Sequence, residues 1–366
     1  MQSMEHSSGA VAITEQQVLP FVIVGAGQAG LAASYALRER GIEHLVLDAH
    51  AAVGDSWRQR YAGLRLFTPR QFSRLPSMPM PGDATGYPDR DEFADYLRDY
   101  ARLFELPVRS NTRVTRLTRD ALGRFAVSLD SGEQLLAQRV IIAAGGFQQA
   151  LIPVVGAGLD SSVLQFTPDT IGDGSALPSG TLLVVGDGAS GRDLARRYAA
   201  THRVLLACGK PRRLLPERLF GRSIWWWLQR LGLMRASADS VIGRRMRRLD
   251  PFPNRQAALP DLQRLGVELL PRVRRADGRL VECADGQQHD IDAVIWAVGY
   301  RDALGWLQVL GALDEHGRVL HHSGLSPVPG LGWLGRPWQR NRASALVMGA
   351  GEDAEWLVEQ MFAEPC

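Results

Sequence analysis

The chain of 366 residues is 45% hydrophobic and 22% charged, with a net charge of +3. That length exceeds one ordinary core and that composition excludes wholesale disorder, so two domains or one composite domain are expected. The near balance of charge gives no argument for nucleic acid. Three scattered cysteines (Cys208, Cys283, Cys366) with no C-x-x-C argue against a disulfide framework, a zinc site and a dithiol redox centre.

Residues 1–17 form a polar arm without the basic start, apolar stretch and small-residue cleavage site of a signal peptide. No run of about 18 apolar residues occurs, so no membrane span is expected and the cytoplasm is the expected location. The first strand is Phe21 to Val24. A glycine turn, a helix from Ala29 to Arg40 and a strand from His44 to Leu47 follow, a β-turn-α-β unit. Residues 54–88, rich in Pro, Gly and aromatics, read as loop. Asp89 to Phe104 is helical, with Asp89 or Asp91 as N-cap. Strands are expected around 108–117, 125–129 and 140–143. A second strand-glycine-helix-strand unit then runs through 181–185, a helix from Arg192 to Ala200, and 203–207. An Arg- and Trp-rich segment covers 210–256, strands lie at 280–283 and 293–297, another strand starts at Leu331, and a last helix spans Asp353 to Phe362.

The first glycine turn is Gly25-Ala26-Gly27-Gln28-Ala29-Gly30. Gly25 permits the tight turn, Gly27 lets the backbone approach a pyrophosphate, and Gly30 lets helix and strand pack closely. The helix start offers free N–H groups and a positive dipole end to phosphates. Asp48, followed by Ala49, ends the second strand where a carboxylate can bind ribose hydroxyls, as suits FAD or NAD. The second turn, Gly186-Asp187-Gly188-Ala189-Ser190-Gly191, comes about 160 positions later. No acid ends its second strand. Lys210, Arg212 and Arg213 follow instead and suit a 2′-phosphate, hence NADPH, unless they form a solvated basic loop. Gly54-Asp55-Ser56-Trp57 could line a flavin ring, although a buried Trp is usually core. The expected fold is α/β, with two dinucleotide-binding Rossmann-like domains. The NAD(P)-binding one (156–285) is inserted in the FAD-binding one (18–155 and 286–366).

Gly25 to Gly30, Asp48, Gly54 to Trp57, Leu64 to Pro69, Gly86 to Pro88, Gly186 to Gly191 and Ala297 to Tyr300 occur in that order. Together they resemble the class B flavoprotein monooxygenases, which include flavin-containing monooxygenases, plant indole-pyruvate monooxygenases and bacterial relatives. The bacterial relatives also resemble the chain at 224–228 and 338–346. The resemblance covers nearly the whole chain after residue 17 and is specific to the superfamily, not to a substrate. It implies that Gly25, Gly27, Gln28, Ala29, Gly30, Asp48 and Ala49 hold the adenosine diphosphate of FAD. Ser56, Trp57, Leu66 and Thr68 would lie near the isoalloxazine, and Val114 by the adenine. Ala144, Gly145, Gly335, Gln339 and Ser344 would complete the flavin site, and Gly186, Gly188, Ala189, Ser190 and Gly191 would hold NADPH.

The family departs from this chain at three places. Thr167 and Ile171 stand where the linker has a His and a Tyr four positions later, Ala189 stands for an Asn, and Val298 lies in an A-T-G-Y-like run. All fall on the nicotinamide side.

The implied activity is NADPH- and O₂-dependent oxygenation of a small nitrogen, sulfur or carbonyl compound through a flavin C4a-peroxide, with water exclusion as the main task of the protein. No general base is named. A reductase, dehydrogenase or oxidase with a degenerate nicotinamide site is the alternative, and a non-catalytic redox-sensing flavoprotein the third. Trp225-Trp226-Trp227 reads as an amphipathic helix on the core, a substrate lid, or a weak membrane-surface contact. Arg244, Arg245, Arg247 and Arg248 read as a solvated face. His321-His322 lacks partners at ligand spacing, and no metal site is expected.

Overall fold

The structure is a computed structural model that describes residues 17–212, 214–249, 252–255 and 257–363. The arm up to residue 16, Arg213 and Cys366 lie outside the described residues.

Strands β1 (Val18–Val24), β2 (His44–Leu47), β3 (Val108–Arg109), β4 (Val114–Arg119), β5 (Phe125–Leu129) and β6 (Gln134–Ile142) form a sheet in the order β3-β2-β1-β6-β5-β4. The strand Leu331–Trp333 joins it by pairing parallel with the end of β6. β1 runs parallel to β2 and β6, and β4, β5 and β6 continue antiparallel. Alternate side chains of β1 point to opposite faces. Phe21 and Ile23 enter one core with Leu31, Leu37 and Leu97, while Val22 and Val24 enter the other with Phe125 and Trp333. Cover on both faces explains the unbroken apolar run of this strand.

Helix α1 (Gln28–Arg38) connects β1 to β2 and packs against the closing helix α8 (Val347–Ala363). α8 begins six residues before the expected Asp353. Gly349 and Gly351 hide its start from propensity, yet both are packed there: a Cβ on Gly349 would stand 2.3 Å from Ala343 O, and one on Gly351 would stand 2.6 Å from Pro76. The stretch read as loop holds a short helix α2 (Asp55–Arg58). It is opened by Gly54 at φ +95°, whose absent Cβ leaves room for Ala94 O. Helix α3 (Arg90–Leu103) is capped by Asp89, which accepts from the Asp91 and Glu92 amides while Glu92 returns a bond to its own.

A second sheet is wholly parallel. Its order is Glu268–Leu270, Arg203–Ala207, Thr181–Val185, Ala293–Trp296, Leu164–Phe166. Helix α4 (Ala189–Tyr198) covers it, and helix α7 (Leu259–Arg264) adds Leu262 to the same core. α4 opens three residues before the expected Arg192, because the chain turns helical directly after Gly188. The return to the first domain is expected at residue 286, and the strand Ala293–Trp296 beyond it pairs with Thr181–Val185 in this second sheet, a pairing that hydropathy does not mark.

The segment 210–256 carries a small hairpin (Arg218–Leu219 with Arg222–Ser223), helix α5 (Ile224–Arg230) and helix α6 (Val241–Leu249). Among the described residues no helix is long and apolar enough to cross a membrane.

Candidate functional site

Two glycine turns sit at the carboxyl ends of parallel strands, each at the start of a helix, the position where α/β sheets bind ligands. In the first, Gly25 has φ +107°, and a Cβ there would stand 2.6 Å from Ala143 O. A Cβ on Gly30 would stand 1.8 Å from Gly25 O. Both positions therefore exclude any side chain. Gly27 differs: a Cβ there would meet nothing within 4 Å. Its missing side chain serves no protein packing and opens a cradle above the α1 amides. Such a cradle fits the diphosphate of a dinucleotide.

The second turn repeats this. Gly186 has φ +106°, with Ala297 O 2.4 Å from its built Cβ. Gly191 would clash with Gly186 O at 1.8 Å, and Gly188 faces open space. Even the outer hydrogen bonds match. Gly25 N donates to Leu47 O at 2.7 Å and Gly186 N to Ala207 O at 3.0 Å.

The acids differ. Asp48, at the end of β2, accepts from Ala26 N at 2.6 Å within the turn, and from His50 N and Nδ1 at 2.8 and 2.7 Å. Burial pushes its carboxyl up, but the bonds from His50 and Ala26 prevail and hold it below the usual range. The same pairing raises the His50 imidazole. In the second unit the acid has changed place. Asp187, inside the turn, accepts from Gly209 N past the strand end at 3.2 Å. Its other oxygen pairs with Arg192 at 3.2 Å, both side chains being buried, and Arg212 approaches at 3.7 Å. Cys208 occupies the strand end where Asp48 stands in the first unit. Burial and then the Asp187 charge push its thiol up to about 11.

Around the first turn the structure gathers most of the residues expected there. Trp57 Nε1 donates to Gln28 Oε1 at 3.3 Å, and its ring meets Phe93 edge-on. Ser56 is half-buried and Ala49 exposed. Leu66 and Thr68 are buried, and the Thr68 hydroxyl bonds Ser73 Oγ at 2.7 Å. Thr112 N donates to Asp48 O, which brings the start of β4, with Val114, alongside the acid. Ala144 is exposed next to the turn, and Gly145 at φ +72° faces open space. Gly335 sits close to Ala29: a Cβ on the glycine would stand 2.9 Å from the Ala29 Cβ. Gln339 and Ser344 are buried but folded into their own loop. Gln339 donates to Trp333 O, and Ser344 accepts from Arg340 N.

On the second side Ala189 and Ser190 open α4, while Lys210 and Arg212 are exposed. Thr167 and Ile171 are buried in a local turn, Ile171 in the core beneath the second sheet, while Ala189 and Val298 are surface-exposed. The tryptophan run is divided between core and surface. Trp225 is buried, its Nε1 donating to Phe67 O at 2.7 Å, so only Trp226 and Trp227 reach the surface.

Sequence reasoning missed a polar junction. Arg60 donates to the Tyr300 hydroxyl at 3.0 Å, and Tyr300 donates to Asp169 at 2.9 Å. Tyr61 reaches Asp193 on α4 at 2.9 Å. These bonds tie the segment just after α2 to the segments around Asp169 and Tyr300 and to α4. Burial raises the Tyr300 phenol above its usual range. Partners separated by more than a hundred positions leave no local signal. The Asp187–Arg192 pair had one, an acid inside a turn whose second strand ends without one.

Comparisons with known proteins agree with this geometry. Residues 22–212 match the family model of pyridine nucleotide-disulphide oxidoreductases. The chain is 37% identical to an oxidoreductase of Geobacillus kaustophilus named CzcO-like, over 95% of this chain and 99% of that one. It is 27% identical to the rice (Oryza sativa subsp. japonica) indole-3-pyruvate monooxygenase YUCCA1, covering 86% of this chain and 84% of that one. A flavin-containing monooxygenase from Stenotrophomonas maltophilia has a similar structure, with TM-score 0.79, 26% identity, and coverage of 95% and 99%. The chain belongs to the pyridine nucleotide-disulphide oxidoreductase family, and within it to the class B flavoprotein monooxygenases.

Proposed function

We propose that the first unit holds FAD, that the second holds NADPH, and that the protein oxygenates a small nitrogen, sulfur or carbonyl compound with O₂. The two sheets and their crossings are on this reading two dinucleotide-binding domains, the second inserted in the first. The observation that carries it is the open space at Gly27 and Gly188, between glycines that packing alone explains. With FAD bound, the protein has a group able to take a hydride from NADPH and pass two electrons to O₂. The balance is one oxygen atom to the substrate and one to water, with NADPH and a proton consumed.

The residues of this chain then have stated tasks. The α1 amides and Gly27 receive the diphosphate, and Asp48 receives the ribose hydroxyls. Trp57, Leu66 and Thr68 wall the ring and keep water out. Lys210 and Arg212 offer cations to the 2′-phosphate, Arg212 being steered by Asp187. Arg213 belongs to this basic stretch by sequence.

A second reading is a flavin reductase or oxidase. Thr167 and Ile171, standing where the family carries His and Tyr, favour it. The deciding experiment reduces the flavin anaerobically with NADPH, then supplies ¹⁸O₂ and a panel of amines, thioethers and ketones. Label in an organic product supports oxygenation. Stoichiometric hydrogen peroxide with no labelled product from any class would sink it in favour of the second reading.

A further inference from the structure

We propose that helix α6, together with the Arg218–Ser223 hairpin, docks on an anionic lipid surface. Residues 214–249 carry eight arginines and only two acids, Glu217 and Asp239, in a chain whose whole net charge is +3. Cations are about twice as frequent here as in the whole chain. Arg244, Arg245, Arg247 and Arg248 meet no carboxylate among the described residues. A solvated basic face would need no apolar groups among its cations, yet this one has them.

α6 is the clearest case. Its one buried residue is Gly243, pressed so closely on the chain that a Cβ would stand 2.0 Å from Ser237 O. Ile242, Met246 and Leu249 fall at i, i+4 and i+7 and share one side of the helix. Ile242 is 51% and Leu249 42% exposed, so that side is not covered by the protein. Arg244, Arg247 and Arg248 share the other side. A helix with an uncovered apolar side and a basic side free of acids suits the plane between headgroups and acyl chains.

The hairpin repeats the combination. Its tip residue Phe220 is 84% exposed. The Phe220 ring rests edge-on against Trp227 with centroids 6.2 Å apart, and the Arg222 guanidinium lies over Trp226 at 5.2 Å. Paired aromatic and arginine side chains at a surface are the composition of a membrane interface. The base is firm, because Trp225 stacks on Phe67 and bonds its carbonyl. A docked face would therefore sit beside the flavin-side loop.

Charge selects the occupant. A second copy seated on the same face would bring arginines against arginines across a two-fold axis, which opposes association. An anionic bilayer instead gains from each cation near its surface and accepts the apolar side chains between them.

The test uses the full-length flavoprotein with vesicles of phosphatidylcholine alone or mixed with phosphatidylglycerol, followed by co-sedimentation. On the order of tenfold or stronger preference for the anionic vesicles is expected, weakened by salt. Ile242→Ser with Leu249→Ser should reduce binding on the order of tenfold with flavin absorbance and circular dichroism unchanged, since apolar insertion adds to charge. Phe220→Ser is the second variant should that pair unfold. Absence of anionic-vesicle binding overturns the proposal. So does binding that neither apolar variant weakens, which would be adhesion by charge alone. Association with an acidic peptide but not with vesicles, or self-association lost in Ile242→Ser, overturns it by assigning the face to a protein.

Discussion

The two glycine turns have one backbone and two chemistries. At both, the first glycine needs a positive φ, the third yields its Cβ space to the carbonyl of the first, and the second opens on empty space. The acid that ties turn to strand end sits on the strand in the first unit (Asp48 to Ala26 N) and in the turn in the second (Asp187 to Gly209 N). Strand-to-helix geometry is thus set by sterics that leave no alternative, while the acid can move from one side of the bond to the other. Moving it frees the second strand end of negative charge and leaves an acid to balance the buried Arg192.

Substitutions can break that comparison. The largest expected effect is at the buried pair. Asp187→Ala leaves Arg192 without its partner carboxylate and should cost about 3–5 kcal/mol in urea unfolding. Asp187→Leu with Arg192→Met should recover most of it. An equal loss in the double variant would remove the claim that the unpaired charge is the cause.

Gly30→Ala forces a Cβ against Gly25 O and should cost about 3 kcal/mol, with the protein purifying colourless. Gly27→Ala sharpens the contrast. Its Cβ meets no protein atom, so the melting temperature of flavin-free protein should stay unchanged while flavin affinity falls. Equal destabilisation by both would show that Gly27 is structural.

Arg212→Ala should weaken 2′,5′-ADP about tenfold, or about 1.4 kcal/mol, and leave 5′-ADP unchanged by calorimetric titration. Arg212 stands beside Asp187 in the second turn and not at the first, so FAD retention should not move.

The smallest effect is a pH dependence that only the first unit should show. His50 is raised in the fold, so its contribution is complete below its ordinary 6.5 and is lost as pH rises through its folded value. Asp48 is lowered, so its contribution is present above its ordinary 3.8 and is lost as pH falls through its folded value. The pair should stabilise most between 3.8 and 6.5. Urea midpoints should therefore decline slightly above that window, by less than about 1 kcal/mol, and His50→Gln should flatten the decline.

Both glycine turns, the strands that feed them, the start of α3 with Asp89 or Asp91 as its cap, and the acid at 48 were legible in the sequence alone. Each depends on neighbours within a few positions, where sterics and periodicity act directly on the local chain. Long-range packing settled the rest: that Ala293–Trp296 completes the second sheet, that Trp225 is a buried anchor under the loop carrying Phe67, that Arg60, Asp169 and Tyr300 meet, and that α8 starts at Val347 despite its glycines. Those outcomes rest on pairings between residues far apart in the chain. Their free energy comes from burial and hydrogen bonds that exist only once the two sheets have come together.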